Sequence, residues 1–365
     1  MQPHATRLER VREDLAAAPA DALVCYPGPN MQYLTGFRGE PDDRYVLALV
    51  EADRLLFVAP EQYEGQIRDH TDLGATRTVP ANDPETVARA LLEELDGSAA
   101  LLDPNARAHV ARHLYAALGE RLGDAAPLLR PHRLRKDHAE VAALRRAAEV
   151  ADTVSVAVRE LGMDAVGRTE RDIAREIRGL LHDNGGERCS FGVVVGAGPN
   201  AARPEARHGD RVVEAGEPVV LDFGAFVDGY ASDQTRTVVF GGDPPEGFAD
   251  AHEAVREALD AGVAAVEPGA VTGDVDAAVR ETLADRGLAE RFVHGTGHGV
   301  GLEAHEPPAV VPDGDTPLEP GTVFSVEPGV YVDGEWGVRV EDLVVVTDDG
   351  CERLNDSPRT WRPLE

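Results

Sequence analysis

Two stretches of this sequence set carboxylates against each other across predicted hairpins. In Val219–Phe240 the Asp228-Gly229 pair is a strong two-residue turn signal between alternating strands. Pairing outward from it sets Val227 opposite Tyr230 and Asp222 opposite Thr235, so Asp233 falls diagonal to Asp222 on the same face. In Thr322–Thr347 a turn over Asp333-Gly334-Glu335 puts Glu327 across from Glu341, with Arg339 two residues away on that face. Like charges opposed in this way destabilise a fold unless something neutralises them, and a metal cation is the usual remedy. The stretch His294-Gly-Thr-Gly-His298-Gly-Val-Gly adds imidazole among glycines small enough for close backbone approach. Asp222, Asp233, His298, Glu327 and Glu341 form an oxygen-rich set, enough for two divalent ions bridged by carboxylates.

The hairpins must be held by a framework, and its outline is readable. Residues 1 to about 126 alternate strands (Ala22–Tyr26, Leu55–Val58, Ala100–Leu102) with amphipathic helices (Val87–Leu95, Val110–Leu122), an α/β pattern. Ala126–Lys136, with prolines at 127 and 131, reads as a linker. Beyond it Leu134, Val141, Leu144, Ala148, Ala151, Val154, Val158 and Leu161 recur at helical steps, and a second helix covers Arg171–Leu181. A β-rich run from Phe191 to Phe240 follows. The order then repeats: Phe248, His252, Val255, Leu259 and Val263 lie on one helical stripe, a helix surrounds Val275–Leu283, and strands run to Val346. Two helices and a hairpin, twice, predict an internal duplication with a cleft between its halves.

Composition narrows the partners. The 365 residues carry 66 Asp+Glu against 36 Lys+Arg, a formal net charge of −30. Such a surface repels nucleic-acid backbones and anionic membranes, and no apolar run is long enough to span a bilayer. Lys136 is the single lysine. An acidic excess of this size suits a cytoplasm rich in salt, where screening acts over a few ångströms. Cys25, Cys189 and Cys351 are far apart and odd in number, so free thiols in a reducing compartment are expected, with Cys189 as buried packing. The N-terminus has neither signal-peptide nor transit-peptide character, so a cytoplasmic location is expected.

With these residues in place the chain resembles the pita-bread (M24) metallopeptidases, specifically the Xaa-Pro dipeptidases and Xaa-Pro aminopeptidases. Asn30-Met-Gln-Tyr-Leu-Thr-Gly-Phe37 is similar to their creatinase-like N-terminal domain, and Leu221-Asp-Phe-Gly with Ser232-Asp-Gln-Thr-Arg-Thr237 to their first ligand hairpin. His294–Leu302, Ser325-Val-Glu-Pro-Gly-Val-Tyr331 and Val338-Arg-Val-Glu-Asp342 complete the match. The resemblance implies a creatinase-like α/β domain over 1–128 and an α+β pita-bread catalytic domain over 129–365. It implies that Asp222, Asp233, His298, Glu327 and Glu341 are the metal ligands, with Asp233 and Glu341 bridging. It also implies that His294 and His305 touch the substrate and the tetrahedral intermediate, and that Arg339 orients a bridging carboxylate. The histidine that relatives carry seventeen residues before the first Asp ligand is replaced here by Glu205, and His208, three residues on, is the expected substitute.

The activity implied is hydrolysis of the peptide bond preceding proline in short peptides by a hydroxide bridging two metals, with Glu327 relaying its proton. The oxygen-rich ligand set favours Mn2+ or Co2+, with Zn2+ or Fe2+ as further options. The expected assembly is a homodimer. Rival readings on the same scaffold are a metal-free creatinase-like hydrolase, a carbon–sulfur lyase, to which Glu205 points, and a pure binding module. The full set of four acids and one histidine speaks against the first and last of these.

Overall fold

The computed structural model describes residues 3–39, 45–205 and 207–363, and divides into two compact units, Met1–Arg133 and Leu134–Glu365. In the first unit, β1 (Ala22–Cys25), β2 (Leu47–Val50), β3 (Leu55–Pro60), β4 (Ala75–Val79), β5 (Ala100–Leu102) and β6 (Leu122–Asp124) form one sheet ordered β4-β3-β2-β1-β5-β6. Its central strands are buried throughout, as a sheet covered by helices requires. The accompanying helices are α1 (Pro3–Leu15), α2 (Pro29–Thr35), α3 (Glu64–His70), α4 (Pro84–Leu95), α5 (Ala108–Leu118) and α6 (Ala126–Leu134). Asp83 caps α4 through Thr86 N at 2.9 Å.

Two sequence readings need correction here. The helix expected to reach Leu122 ends at Leu118, because Gly119 takes a positive φ of 56° and Leu122 turns into β6 beside β5. The stretch expected as a linker is helical: α6 contains Pro131, whose place as the sixth residue of the helix marks it as interior rather than a tolerated first-turn proline.

The second unit opens with α7 (His138–Arg159), started by a reciprocal capping box between Asp137 and Glu140, and α8 (Glu170–Asp183), capped by Thr169. The strands β7 (Arg188–Cys189), β8 (Val194–Ala197), β9 (Pro218–Phe223), β10 (Ala225–Val227), β11 (Tyr230–Ala231) and β12 (Gln234–Val239) follow. Then come α9 (Phe248–Ala264), α10 (Thr272–Asp285), β13 (Gly297–Gly299), β14 (Glu306–Val310), β15 (Val323–Val326), β16 (Gly329–Val332), β17 (Trp336–Arg339), β18 (Asp342–Thr347) and β19 (Gly350–Arg353). Each half is thus two helices followed by three antiparallel strands, β8-β9-β12 in one and β13-β15-β18 in the other. β14 and β19 extend the second sheet; β19 lies past the last strand read from the sequence, on a short turn after Thr347. The stripe Phe248, Val255 and Leu259 is fully buried on α9 against Val326 and Val338, anchoring the second sheet. Burial of that kind contributes roughly 1.5–3 kcal/mol per large side chain.

Candidate metal centre

The first carboxylate-bearing hairpin has the register its turn dictates. Asp222 pairs with Thr235 and Val227 with Tyr230, and Asp228 and Gly229 take positive φ angles of 53° and 79°, the type I′ geometry that matches strand twist. Tyr230 and Gln234 pin this hairpin to α7, through Glu140 at 3.1 Å and Asp152 at 2.6 Å. In the second hairpin Val326 pairs with Asp342 and Gly329 with Arg339, so Glu327 and Glu341 face each other between the two ladders.

Histidine enters from β13. A Cβ on Gly297 would lie 1.8 Å from the Ser325 carbonyl oxygen, so only glycine lets β13 run this close to β15. That approach carries His298 Nε2 to 3.4 Å from Glu327 Oε1 and 3.7 Å from Asp233 Oδ2. Donor atoms of Asp233, His298 and Glu341 all lie within 4.8 Å of one another. The five expected ligands line one cleft of about 920 Å³, which His294, His305, Arg339, Glu205 and His208 also border.

A single buried cation organises the acids. Arg339 donates through Nη2 to Asp222 Oδ2 at 2.5 Å and through Nε to Thr235 Oγ1 at 3.0 Å, and Thr235 in turn donates to Glu341 Oε2 at 2.7 Å. Its direct carboxylate partner is therefore Asp222, and the acid expected to bridge, Glu341, is reached through a threonine. Arg339 Nη1 also donates to the Tyr331 hydroxyl at 3.1 Å, and that hydroxyl lies 2.9 Å from His294 Nε2. His294 Nδ1 faces the Gly295 carbonyl at 2.8 Å; a carbonyl only accepts, so Nδ1 carries the hydrogen and Nε2 accepts from Tyr331. Both ring nitrogens of His294 are thus engaged within the protein, whereas His305 is exposed in the cleft with its ring 4.1 Å from that of His298.

Burial sets the electrostatics. It raises the carboxyl pKa of Asp222, Asp233, Glu327 and Glu341, with repulsion from neighbouring acids adding at Asp233 and Glu341; Glu327 is pushed up to about 7. Burial lowers His294 and His298 to about 4, keeping both imidazoles neutral. It also disfavours the Arg339 cation, yet Tyr331, Asp222 and Glu327 outweigh that and hold its pKa well above the ordinary value.

The residues fit divalent metal. Among the described residues Asp222 Oδ1 and Glu341 Oε1 are buried without a hydrogen-bond partner, and unmet acceptors on crowded carboxylates are what a cation satisfies. Glu205 is exposed on the cleft rim; His208 is held at the wall, Nδ1 at 2.8 Å from the Val193 carbonyl and Nε2 at 3.5 Å from Arg178. Cys189 is half-buried on β7 rather than fully packed away. Residues that the sequence reading gave no role are Tyr331, Thr235 and the pair Asp276 and Arg280. Arg280 Nη2 donates to the His294 carbonyl at 2.7 Å and its Nε to Asp276 at 2.7 Å, while Asp276 accepts from Thr296 Oγ1 at 2.8 Å. Tyr331 stood four residues past Glu327 on the same strand path, a spacing that placed it nearby; nothing local marked Asp276.

A doubled helix-and-sheet unit that gathers carboxylates and a neutral imidazole around unmet acceptors defines a metallohydrolase. Residues 142–348 match metallopeptidase family M24, and residues 7–135 match the creatinase/prolidase N-terminal domain. The chain belongs to metallopeptidase family M24 and is an enzyme of that class, with the creatinase-like and pita-bread units expected. It is 38% identical over 353 residues to a protein described as probable dipeptidase PepE of Mycobacterium tuberculosis, covering 94% of this chain and 93% of that one. Among solved structures it is similar to an Xaa-Pro dipeptidase from Bacillus anthracis, with a TM-score of 0.90, 28% identity and coverage of 99% and 100%. It is also similar to an X-Pro aminopeptidase from Thermotoga maritima, with a TM-score of 0.87, 28% identity and coverage of 97% and 99%. Among the described residues no helix is long and apolar enough to cross a membrane.

Proposed function

We propose that this enzyme hydrolyses the peptide bond preceding proline in short peptides, using two divalent ions held by Asp222, Asp233, His298, Glu327 and Glu341. The observation that carries the reading is the meeting of these five side chains in one cleft with Asp222 Oδ1 and Glu341 Oε1 left unpartnered. The names of the similar proteins supply the substrate class. A bond to proline resists ordinary peptidases because its nitrogen carries no hydrogen, which favours a dedicated enzyme. When bound, such ions polarise a carbonyl and lower the pKa of water into the neutral range. The chain's own part is to move protons and stabilise charge. Glu327 Oε1, beside His298, accepts the proton of the attacking water and returns it to the leaving nitrogen. His305, exposed in the cleft, supplies an N–H to the developing oxyanion, while His294 acts one step removed by fixing the Tyr331 hydroxyl.

The oxygen-rich donor set favours manganese or cobalt. Dialysis against a chelator should abolish cleavage and added Mn2+ should restore it, followed on a panel of Xaa-Pro, Xaa-Pro-Yaa and Xaa-Ala peptides. Activity that persists without metal, or equal turnover of the Xaa-Ala peptide, removes the proposal. A homodimer in a salt-rich cytoplasm completes the reading; the net charge of −30 supports the salt-rich setting, and a monomer by light scattering would remove the dimer.

A further inference from the structure

Among the described residues, buried side-chain atoms without a hydrogen-bond partner divide by sign. The unmet carboxylate acceptors, Asp222 Oδ1 and Glu341 Oε1, lie at the metal centre. The unmet guanidinium and amide donors are Nε and Nη2 of Arg159, Nε of Arg236 and Nδ2 of Asn355, and the ring Nε2 of His252 is unpartnered as well. The remaining atoms of this kind are histidine ring nitrogens and threonine hydroxyls scattered elsewhere. If crowded acceptors call for a cation, gathered donors call for an anion.

Arg159, Arg236 and His252 share one neighbourhood, close enough for their charges to act on one another. Arg159 Nη1 donates to the Arg362 carbonyl at 2.9 Å and Arg236 Nη2 to the Ser357 carbonyl at 3.2 Å, so both lie under the C-terminal segment. Val239 N, three residues beyond Arg236 on β12, donates to the Trp361 carbonyl at 2.9 Å. The Trp361 ring packs on Phe248 at 6.1 Å and Phe248 on His252 at 6.0 Å. Arg159 and His252 are 0% and 3% exposed.

Charge is out of balance there. Asp342 serves three arginines, Arg236 at 2.9 Å, Arg353 at 3.4 Å and Arg359 at 2.5 Å, and of these Arg353 has a second partner in Asp260 at 2.5 Å. Arg159 pairs with no carboxylate among the described residues, and a buried cation left uncompensated is strongly unfavourable. Burial, with Arg236 adding, lowers its pKa to about 9, which still leaves it charged at neutral pH. Burial likewise lowers His252 to about 4, with Arg159 adding and Glu253 opposing, so the ring is neutral and its nitrogen can donate as one tautomer. A cleft of about 540 Å³ bordered by His252, Arg256, Arg353, Arg359 and Trp361, with Glu253 and Asp260 also on its wall, opens beside His252.

We propose that Arg159 and His252, beside Arg236, bind a small inorganic anion of halide size inside the catalytic unit. Full burial of Arg159 favours a monatomic ion over a tetrahedral oxyanion. The bound ion would tie the C-terminal segment to α7, α9 and β12, and so stabilise the strand that begins next to Asp233. It would also brace the metal centre, since Arg236 Nη1 donates to the Glu341 carbonyl at 2.5 Å.

The experiment is melting of the intact, manganese-loaded protein in sodium chloride, bromide or gluconate at equal ionic strength, which removes general screening from the comparison. Chloride and bromide are expected to raise the melting temperature by about 3–6 °C over gluconate. Arg159→Met should abolish that difference. Should this variant fail to fold, anomalous diffraction from crystals of the unaltered chain in bromide reads the same site, where a peak against Arg159 Nε and Nη2 is expected. Equal melting in all three salts overturns the proposal, as does water rather than bromide at Arg159. A peak without any anion-specific melting shift means an adventitious ion only and overturns it too.

Discussion

Removing divalent metal should give this protein a stability that falls as pH rises above about 6.5. Burial raises the carboxyl pKa of Asp222, Asp233, Glu327 and Glu341, and Glu327 reaches about 7 against an ordinary 4.5. A carboxyl whose folded pKa lies above its unfolded one binds more protons in the native state between the two values, so stability is lost as pH climbs through that window. His294, His298 and His252, each lowered to about 4, act with the opposite sign. They bind more protons when unfolded between about 4 and 6.5, so there they make stability rise with pH. Above about 7.5 these imidazoles are neutral in both states and the carboxyls act alone; from about 6.5 to 7.5 the three imidazoles together offset roughly 1 kcal/mol of the carboxyl effect. From pH 6.5 to 8.5 Glu327 accounts for roughly 1 kcal/mol, and each carboxyl still protonated for up to about 1.4 kcal/mol per pH unit. A total of roughly 3 kcal/mol corresponds to about 6–12 °C in melting temperature. The assay is thermal melting at pH 6.5, 7.5 and 8.5, with chelator and with Mn2+, at fixed ionic strength. Metal keeps the carboxylates ionised in the native state, so the manganese series should be flat. Metal-stripped protein that melts at the same temperature at pH 8.5 as at 6.5 would refute the assignment of these four acids to one crowded, buried site.

Three further outcomes are expected. Asp276→Asn weakens the clamp that holds the His294 carbonyl through Arg280, and should lower kcat about tenfold with KM changed less than twofold; unaltered kcat removes Asp276 from any positioning role. His208→Ala should reduce turnover about tenfold, and a silent His208→Ala together with a large gain from Glu205→His would show that His208 does not replace the histidine that the resemblance implies at position 205. With a net charge of −30, the chain should lose its fold on dialysis to low ionic strength, read by circular dichroism, and equal ellipticity with and without salt counts against salt adaptation.

Much of the site was open to inspection in the amino-acid order because strand register is local. A turn fixes every pair outward from it: Asp228-Gly229, both at positive φ, sets Asp222 opposite Thr235, and the three-residue loop Asp333-Gly334-Glu335, with Gly334 at positive φ, sets Glu327 opposite Glu341, so both could be written down beforehand. Helical periodicity likewise placed α7 and α9. Local rules misled where competing neighbours decided. Prolines at 127 and 131 suggested a linker, yet the segment is helical, and the strand at Leu122 cut α5 short because β5 offered it a partner. Contacts between elements distant in sequence were illegible. That β13 slides against β15 closely enough to bring His298 to Glu327 depends on Gly297 meeting a carbonyl from another strand. The engagement of both His294 nitrogens, the route from Arg339 to Glu341 through Thr235 and the unpaired Arg159 likewise exist only once sheets and helices pack. Order along the chain determines which side chains share a face, because the pleat repeats every two residues; which faces meet is decided by burial of cores assembled from residues a hundred positions apart.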